Sequence, residues 1–317
     1  MTSAPPETAS TTAPFDMAGY ALAIGGAVLF STKGIFIKLA YGHGVSTETL
    51  LALRMAVALP VYAAILAAIL LRNRQMRERL KPASVVATMG VGFLGYYVAS
   101  YLDFLGLNFV SAQYERLVLF TYPFFVLILG ALFFRERMVW AVVPAMAISY
   151  AGIAVIFGWN LVAEPTGLVA GTVLVLGSAV TFAFYQHLAR GQMRAMSSMV
   201  FTCIGMSTAA VAAILQNAVA NGAADLARLD FETLAYGLCL GILGTVVPSF
   251  MLNAGLSRIG ARATASTAAL GPVVTAVIAV IVLGEAFTPF HAAGTALVVA
   301  GALLFGRAER RAKMLPA

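Results

Sequence analysis

Charged side chains interrupt the apolar segments of this sequence. Lys33 and Arg54 lie inside two long apolar stretches, and the neighbouring residues Glu115 and Arg116 open another. An ionised side chain near the middle of a bilayer costs at least ~2.5 kcal/mol, and such groups usually face a cavity or a partner of opposite charge. If these stretches cross a membrane, the four residues are candidates for binding a charged solute or for opening and closing a path.

We consider two interpretations of these charges. In the first, Lys33 or Arg54 attracts a carboxylate, or pairs with Glu115 or Asp103 as an outer gate that breaks and re-forms during transport. A carboxyl group such as that of Glu115 could also carry a proton in an exchange cycle. This interpretation makes the charged residues part of a transport mechanism.

In the second interpretation the charges have no transport role. Three further charged residues, Lys38, Glu48 and Asp103, lie near the ends of their apolar stretches. Long charged side chains at such positions reach water at the membrane interface, and Glu115 with Arg116 marks the start of a helix. We favour this interpretation for the three residues near the rim. For Lys33 and Arg54, which lie deeper, both interpretations stay open.

Aromatic side chains recur at helical spacing in the third apolar stretch. Tyr97, Tyr101 and Phe104 are separated by four and three residues, so a helix places them on one face beside Tyr96 and Ser100. This face could stack against the side chain of a solute while its hydroxyl groups orient a polar head group. The alternative is an aromatic stripe that only packs against other helices or lipid.

The elements that must position these residues are transmembrane helices. The chain of 317 residues is 61% hydrophobic and only 10% charged, with a mean hydropathy of +0.91. A chain with so few charged residues cannot form the polar surface of a water-soluble protein. About 20 apolar residues span the hydrocarbon as a helix. Ten such stretches are visible, at about 17–40, 47–71, 84–105, 112–134, 139–157, 166–189, 196–219, 232–253, 263–283 and 290–306.

The second half of the chain is similar to the first after a shift of 149 residues. Three pairs of residues that shape helices coincide at this shift: Pro123 with Pro272, Glu136 with Glu285, and Gly152 with Gly301. Duplicated halves are typical of membrane transporters. Each half holds five spans, so the two copies must cross the membrane in opposite senses.

The repeat gives the paired prolines and the aromatic face a common setting. A proline inside a spanning helix frees a backbone carbonyl, which lipid tolerates only where the helix faces protein or a cavity. We therefore favour Pro123 and Pro272 as hinges that line a central path, over static kinks. Because Ser100 corresponds to Ser249 in the second half, we predict one aromatic wall, containing Tyr97 and Tyr101, and one small, hydroxyl-bearing wall.

Two further tyrosines complete the predicted path. Tyr122 precedes the first hinge, and Tyr185 lies in the sixth span. Both carry a hydroxyl group that needs a partner when it is buried. We add them to the predicted substrate path.

Basic residues mark one side of the membrane. With a cytoplasmic N-terminus, 15 of the 20 Lys and Arg residues lie at cytoplasmic connections or in the C-terminal tail, and Arg228 alone lies outside. The positive-inside rule therefore predicts that both termini are cytoplasmic. Anionic lipid explains the net charge of +7 without nucleic acid. The basic connection after the second span has an acidic counterpart in the second half, around Asp225, Asp230 and Glu232, as inversion requires.

The repeated segments resemble a known family. The first copy reads Gly106-Leu107, Tyr122-Pro123, Arg135-Glu136-Arg137 and Ala151-Gly152. The second copy reads Gly255-Leu256, Ala261, Gly271-Pro272, Gly284-Glu285 and Ala300-Gly301. This pattern resembles the repeated EamA-like domain of the drug/metabolite transporter superfamily over nearly the whole chain after residue 16. The resemblance implies a metabolite exporter or exchanger and, more narrowly, an amino-acid exporter of the aromatic amino-acid type.

Other function classes lack their signatures in the sequence. A membrane-embedded enzyme is disfavoured because there is no His-Glu-x-x-His and no Gly-x-Ser-x-Gly motif. Cys203 and Cys239 lie inside spans without paired spacing, so we predict no disulfide framework, metal site or cofactor. A channel would need a ring of like residues or a carbonyl filter, usually from an oligomer. Two inverted halves in one chain suit a carrier better, and we expect it to act as a monomer.

The sequence thus predicts an all-α polytopic membrane protein with ten transmembrane helices in two inverted five-helix repeats, in a bacterial-type inner (plasma) membrane. Its predicted function is alternating-access export of small metabolites, with amino acids favoured. The alternatives are a carrier or exchanger for a sugar phosphate, nucleotide sugar or drug-like solute, and, less favoured, a channel. The predicted divisions are a disordered tail (1–16), the first repeat (17–157), an external connection (158–165), the second repeat (166–306) and a basic cytoplasmic tail (307–317).

Overall fold

Helices form the whole architecture of the computed structural model, which describes residues 16–136, 138–163, 165–268 and 270–314. Apolar segments in lipid must satisfy their backbone hydrogen bonds internally, and helices do so. The elements are α1 (Met17–Ser31 and Lys33–Gly42), α2 (Thr47–Arg72), α3 (Pro82–Gly92, Phe93–Val98 and Ala99–Gly106), α4 (Ala112–Leu119 and Tyr122–Phe133), α5 (Trp140–Val142 and Val143–Ala163), α6 (Leu168–Met196), α7 (Ser198–Asn221), α8 (Phe231–Gly241, Ile242–Val246 and Val247–Ala268), α9 (Gly271–Ile278 and Ala279–Leu283) and α10 (Pro289–Met314).

The lengths of these helices suit a bilayer. In the part of the chain that the structure describes, nine helices are long and apolar enough to cross a membrane, and a shorter apolar helix, Gly271–Leu283, occupies the place of the predicted ninth span. Many large apolar side chains are exposed on the outside of the bundle, including Leu71, Val162 and Val219, as a lipid-facing surface requires. The prediction of an all-α polytopic membrane protein is confirmed.

The helix contacts of the two halves, α1–α5 and α6–α10, follow an approximate twofold symmetry. α2 packs along its repeat partner α7, and α5 packs along its repeat partner α10. α1 packs on α8, whereas α6 packs on α3, which is the same contact with the halves exchanged. We call the end of the bundle that carries Arg72, Arg74, Arg77 and Arg79 the arginine-rich face. The end that carries residues 43–46, 107–111 and 284–288 is the opposite face.

Local irregularities recur in both halves. α3 and α8 each contain a π-helical segment, Phe93–Val98 and Ile242–Val246, and the two segments begin 149 residues apart. α4 is interrupted after Leu119, and α8 ends at the equivalent residue, Ala268, just before α9. Such breaks in spanning helices are tolerated where the backbone lines protein or a cavity. The repeat is therefore visible in the backbone as well as in the sequence.

Glycines allow the two fifth helices to approach closely. A Cβ atom added at Gly152 of α5 would lie 2.6 Å from the carbonyl oxygen of Gly294, and one added at Gly301 of α10 would lie 2.7 Å from that of Ala145. Ser149 Oγ donates to the carbonyl oxygen of Val298 at 3.2 Å in the same interface. Small residues that bring backbones together stabilise helix pairs in membranes, where lipid removes the hydrophobic driving force.

We expect Gly152→Ala to destabilise the protein, because the new methyl group meets a backbone carbonyl that can move only with its helix. Overpacking of this kind costs about 1–3 kcal/mol. Gly158→Ala is the matched control, since Gly158 lies in the same helix with open space around it, where Ala is the better helix former. Thermal unfolding in detergent should show a lower midpoint for Gly152→Ala alone. Equal midpoints for the two variants would contradict the close α5–α10 packing.

Three predicted boundaries differ from the structure. α5 continues to Ala163, so most of the predicted connection 158–165 is helical, and α10 continues through the predicted tail to Met314. The predicted loop at 254–262, between the eighth and ninth spans, is helical too. Ser111 caps the N-terminus of α4 by accepting from the Tyr114 N–H, whereas the equivalent residue in the second half is Gly260 and has no side chain to cap a new helix. Of the predicted disordered tail, residues 1–15 lie outside the described residues.

Candidate functional site

α1 is interrupted next to its buried lysine. The hydroxyl groups of Ser31 and Thr32 donate to the carbonyl oxygens of Ala27 and Leu29, both at 2.7 Å. Such side-chain bonds offer the backbone an alternative to the helical ladder. The second segment of α1 then begins at Lys33, so the break places this side chain inside the bundle.

Lys33 forms an ion pair with Asp103 of α3. Both residues are buried, with exposed fractions of 6% and 2%. The expectation that Asp103 reaches water at the rim is therefore wrong: its helix continues beyond it to Gly106, and Lys33 provides the opposite charge that a buried carboxylate needs. Of the pairings considered for Lys33, the structure forms the one with Asp103.

Glu115 lies beside this pair. It is in the first turn of α4, and only 1% of the residue is exposed. Its carboxyl group interacts with that of Asp103, yet among the described residues no donor reaches Glu115 Oε1 or Asp103 Oδ1. Each of the two buried carboxyl groups therefore has one oxygen without a hydrogen-bond donor among the described residues.

Arg116 follows Glu115 in α4 and adds a positive charge to the buried group. Its guanidinium carbon lies 5.4 Å from the centre of the Phe30 ring, and the Lys33 ammonium lies 5.9 Å from the centre of the same ring. Arg116 Nε is buried without a hydrogen-bond partner in the described part of the chain. We call Lys33, Asp103, Glu115, Arg116 and Arg54 the charged layer.

Arg54 of α2 is buried as well, with 6% of the residue exposed, and the charge of Asp103 acts on it. Its Nε donates to Thr245 Oγ1 at 2.8 Å, and its guanidinium carbon lies 5.3 Å from the centre of the Phe104 ring. Thr245 belongs to the π-helical segment of α8 and donates to the carbonyl oxygen of Leu240 at 2.9 Å. Arg54 Nη1 is buried, and no described residue accepts from it.

The aromatic side chains of the predicted face on α3 have different partners. Tyr97 and Tyr101 stack with ring centres 6.3 Å apart, and the Tyr101 hydroxyl donates to Glu48 Oε1 at 2.7 Å. Phe104 instead is fully buried beneath Arg54. Tyr97 and Tyr101 pack against the apolar cluster that contains Phe104. Their role as one wall of a substrate path stays a prediction.

Two other rim residues also have partners inside the protein. Glu48 accepts the Tyr101 hydroxyl group, as described above. Lys38 Nζ donates to the carbonyl oxygens of Leu107 and Val110, at 3.1 and 3.2 Å, at the C-terminal end of α3. Both side chains are half-buried. Each therefore binds a group of the protein as well as facing the membrane interface.

Tyr122 and Tyr185 belong to a separate aromatic cluster. The Tyr122 ring meets Phe182 edge-on at 5.3 Å between centres, and Phe182 stacks on Tyr185 at 5.4 Å. The Tyr185 hydroxyl donates to that of Tyr96 at 2.5 Å. The predicted path tyrosines thus form two groups, with Tyr97 and Tyr101 in one and Tyr122 and Tyr185 in the other.

The serines of the predicted path lie on opposite halves. Ser249 Oγ donates to the carbonyl oxygen of Thr245 at 2.5 Å and accepts from the Tyr62 hydroxyl at 3.3 Å. It therefore lies one turn along α8 from the threonine that Arg54 contacts. Ser100 is half-buried in α3, next to Tyr101.

Both predicted hinge prolines lie at helix starts. Pro123 follows the break in α4 and Pro272 follows the end of α8, each within the first two residues of its segment. A proline costs little there, because the first N–H groups of a helix have no partner within it. At both positions the backbone is interrupted before the proline, rather than bent within a continuous helix.

A contact between the repeats was not predicted from the sequence. Glu285 Oε1 accepts from the Ala112 N–H at 2.7 Å, and Oε2 accepts from the Gln113 N–H at 3.2 Å. A carboxylate from the second half thus binds the N-terminus of α4, where the helix dipole favours negative charge. The available signal was the duplication of Glu285 and Glu136. Glu136, at the arginine-rich face, pairs with Arg190 Nη1 at 3.1 Å.

The opposite face also carries a polar cavity of about 370 Å³. Its lining includes Thr49, Asp225 and Arg228. Asp225 Oδ2 accepts from Thr49 Oγ1 at 2.8 Å and from Asn217 Nδ2 at 3.0 Å. These bonds join α2 to the connection after α7. Among the described residues no cluster of three His, Cys, Asp or Glu side chains has the geometry of a metal site.

Comparison with known proteins agrees with the repeated architecture. The profile of the EamA-like transporter family matches residues 17–158 and again residues 169–307. A solved crystal structure superposes with a TM-score of 0.62, covering 93% of this chain and 99% of that chain at 21% identity. At that identity the likeness concerns the fold alone.

Two curated relatives extend over most of the chain. YcbK of Bacillus subtilis (strain 168), named as an uncharacterized transporter, is 28% identical over 82% of this chain and 83% of its own length. A protein of Streptantibioticus cattleyicolor named "Probable terminal-alkyne amino-acid exporter" is 27% identical over 73% of this chain and 75% of its own length. Both names describe transporters.

Proposed function

Because this chain belongs to the EamA-like transporter family, we propose that it carries amino acids across the membrane by alternating access between its two repeats. Export is the proposed direction. The membrane is proposed to be a bacterial-type inner membrane, with both termini in the cytoplasm and the monomer as the working unit. Pro123 and Pro272 are the proposed hinges.

The observation that carries this proposal is that interrupted helices contact one another beside the buried charged side chains. α1 breaks beside Lys33, and α9 begins next to the same break, since Thr275 Oγ1 donates to the carbonyl oxygen of Ser31 at 3.0 Å. A Cβ atom added at Gly271 of α9 would lie 3.1 Å from Arg116 Nη2 of α4. Discontinuous helices around polar groups at mid-membrane are typical of sites in secondary transporters.

The charged layer fits a zwitterionic cargo. It offers the guanidinium of Arg54 and the carboxyl group of Glu115, each with a buried atom that no described residue binds, and these match the carboxylate and the ammonium group of a free amino acid. The name of the Streptantibioticus relative supports an amino-acid cargo as well. A sugar phosphate or nucleotide sugar, in contrast, carries two or more negative charges and no ammonium group.

Uptake into proteoliposomes tests the proposed cargo. The purified full chain is reconstituted, and uptake is measured for radiolabelled neutral, aromatic and charged amino acids, glucose 6-phosphate and UDP-glucose, with protein-free liposomes as the control. We expect saturable uptake of one or more amino acids. Saturable uptake of only the phosphorylated solutes would contradict the proposal.

The tyrosines of α3 should influence which amino acids are carried. Tyr101→Ala removes a ring that stacks on Tyr97 and a hydroxyl that binds Glu48, and a stacking partner contributes about 0.5–1.5 kcal/mol. We therefore expect the apparent affinity for aromatic amino acids, measured in competition assays, to fall by roughly 2- to 10-fold relative to that for leucine. Tyr101→Phe, which keeps the ring, should retain the order. An unchanged ranking in Tyr101→Ala would remove this ring from the path.

A further inference from the structure

We propose that Arg54 is the residue that binds the carboxylate of the cargo, and that Thr245 holds its guanidinium in place. This inference rests on the proposed function, because it assigns the polar group of the cargo to one side chain. The alternative is a purely structural arginine that joins α2 to α8.

The carboxyl groups of the charged layer are engaged by residues other than Arg54. Asp103 is bound by Lys33. Glu115 and Arg116 are neighbours in α4, and the charge of Glu115 acts on Arg116. In the described part of the chain no carboxylate lies within ion-pair distance of Arg54. Asp103, the carboxylate whose charge acts on Arg54, already pairs with Lys33, so Arg54 has no carboxylate of its own.

An unpaired charge at this depth is costly. Leaving a buried ion without its partner typically costs about 3–5 kcal/mol. The described contacts of the Arg54 guanidinium are a neutral hydroxyl and the face of the Phe104 ring, which compensate for only part of that cost. Proteins retain such unfavourable groups mainly where function needs them. The missing partner is an anion.

The open donor fits a carboxylate. A guanidinium binds carboxylates through adjacent N–H groups in one plane. Arg54 Nε is taken by Thr245 and Phe104 covers one face, which fixes this plane and leaves Nη1 free to donate. The Ser249 hydroxyl lies one turn further along α8. At the repeat offset Arg54 corresponds to Cys203, so the second half supplies no equivalent cation.

Binding of acid and amide pairs tests this assignment. The purified full chain is titrated with L-leucine, L-phenylalanine, leucinamide and phenylalaninamide, and the dissociation constants are obtained by calorimetry. A lost charged hydrogen bond changes affinity by about 10- to 100-fold, so the amides should bind that much more weakly than the acids. Arg54→Gln should weaken the acids by the same factor and abolish the difference, whereas Arg74→Gln, at an exposed arginine, should change nothing.

Thermal unfolding without cargo separates binding from structure. Because Arg54→Gln removes an unpaired buried charge, the variant should unfold at the same temperature as the natural protein or higher. A lower midpoint, or acid and amide forms that bind equally to the natural protein, would overturn the assignment. If no amino acid binds, the same titration with acetate and succinate distinguishes the two ideas: Arg54-dependent binding refutes only the amino-acid cargo, and its absence refutes the carboxylate site.

Discussion

Replacing Lys33 by Met should remove most of the correctly folded protein, because the substitution leaves Asp103 buried without its cation. Breaking one side of a buried ion pair costs about 3–5 kcal/mol, which is a large share of the total stability of a typical domain. Fluorescence-detected size-exclusion chromatography of the full chain should show a strongly reduced monodisperse peak. The remaining protein should unfold at a lower temperature.

Two controls make this result specific to the pair. The double variant Lys33→Met/Asp103→Leu removes both charges and should regain much of the lost folded protein, since apolar replacements of buried pairs are often neutral. Lys81→Met changes an exposed lysine and should leave the peak unchanged. If the single variant folds as well as the natural protein, or if the double variant folds worse than the single one, Lys33 and Asp103 are not coupled as described.

Pro123→Ala and Pro272→Ala should lower transport far more than they lower folded yield. Each proline stands just after a break between helical segments, and alanine restores an N–H group and a strong preference for continuous helix. The two breaks would then be less able to change angle. We expect the double variant to lose about tenfold or more in transport rate, which corresponds to ~1.4 kcal/mol in the barrier. Initial rates in proteoliposomes, normalised to inserted protein, measure this.

Pro60→Ala is the matched control for the hinges. Pro60 lies inside α2 and has no proline at the equivalent position of the second half, so its replacement should leave transport nearly unchanged. Loss of folded protein in both hinge variants, with normal transport per remaining molecule, would instead identify the two prolines as static structural features.

Patterns in the sequence were sufficient for the membrane class and for the repeat. The apolar stretches predict the helices because lipid excludes other backbone conformations. The pairing of Pro123 with Pro272 also indicated where both halves are irregular, and the structure has breaks directly before both residues. The positions of these breaks were therefore predictable, whereas the π-helical segments of α3 and α8 were not.

Features that depend on tertiary contacts were not. Asp103 lies three residues before the end of α3, which indicates the rim, and its burial follows from its ion pair with Lys33 on another helix. The partner of Arg54 is Thr245, on a helix of the other repeat, and the Glu285 bonds to α4 also cross between repeats. No spacing within one half predicts such contacts.

Counterflow tests the central claim, that one interior site is exposed alternately to the two sides of the membrane. Proteoliposomes containing the full chain are preloaded with the unlabelled amino acid that shows the highest uptake and are diluted into a trace of the same compound in radiolabelled form. An alternating-access carrier predicts transient accumulation of label several-fold above the level in liposomes without preload. Label that enters at the same rate with and without internal amino acid would contradict the account and identify an open pore.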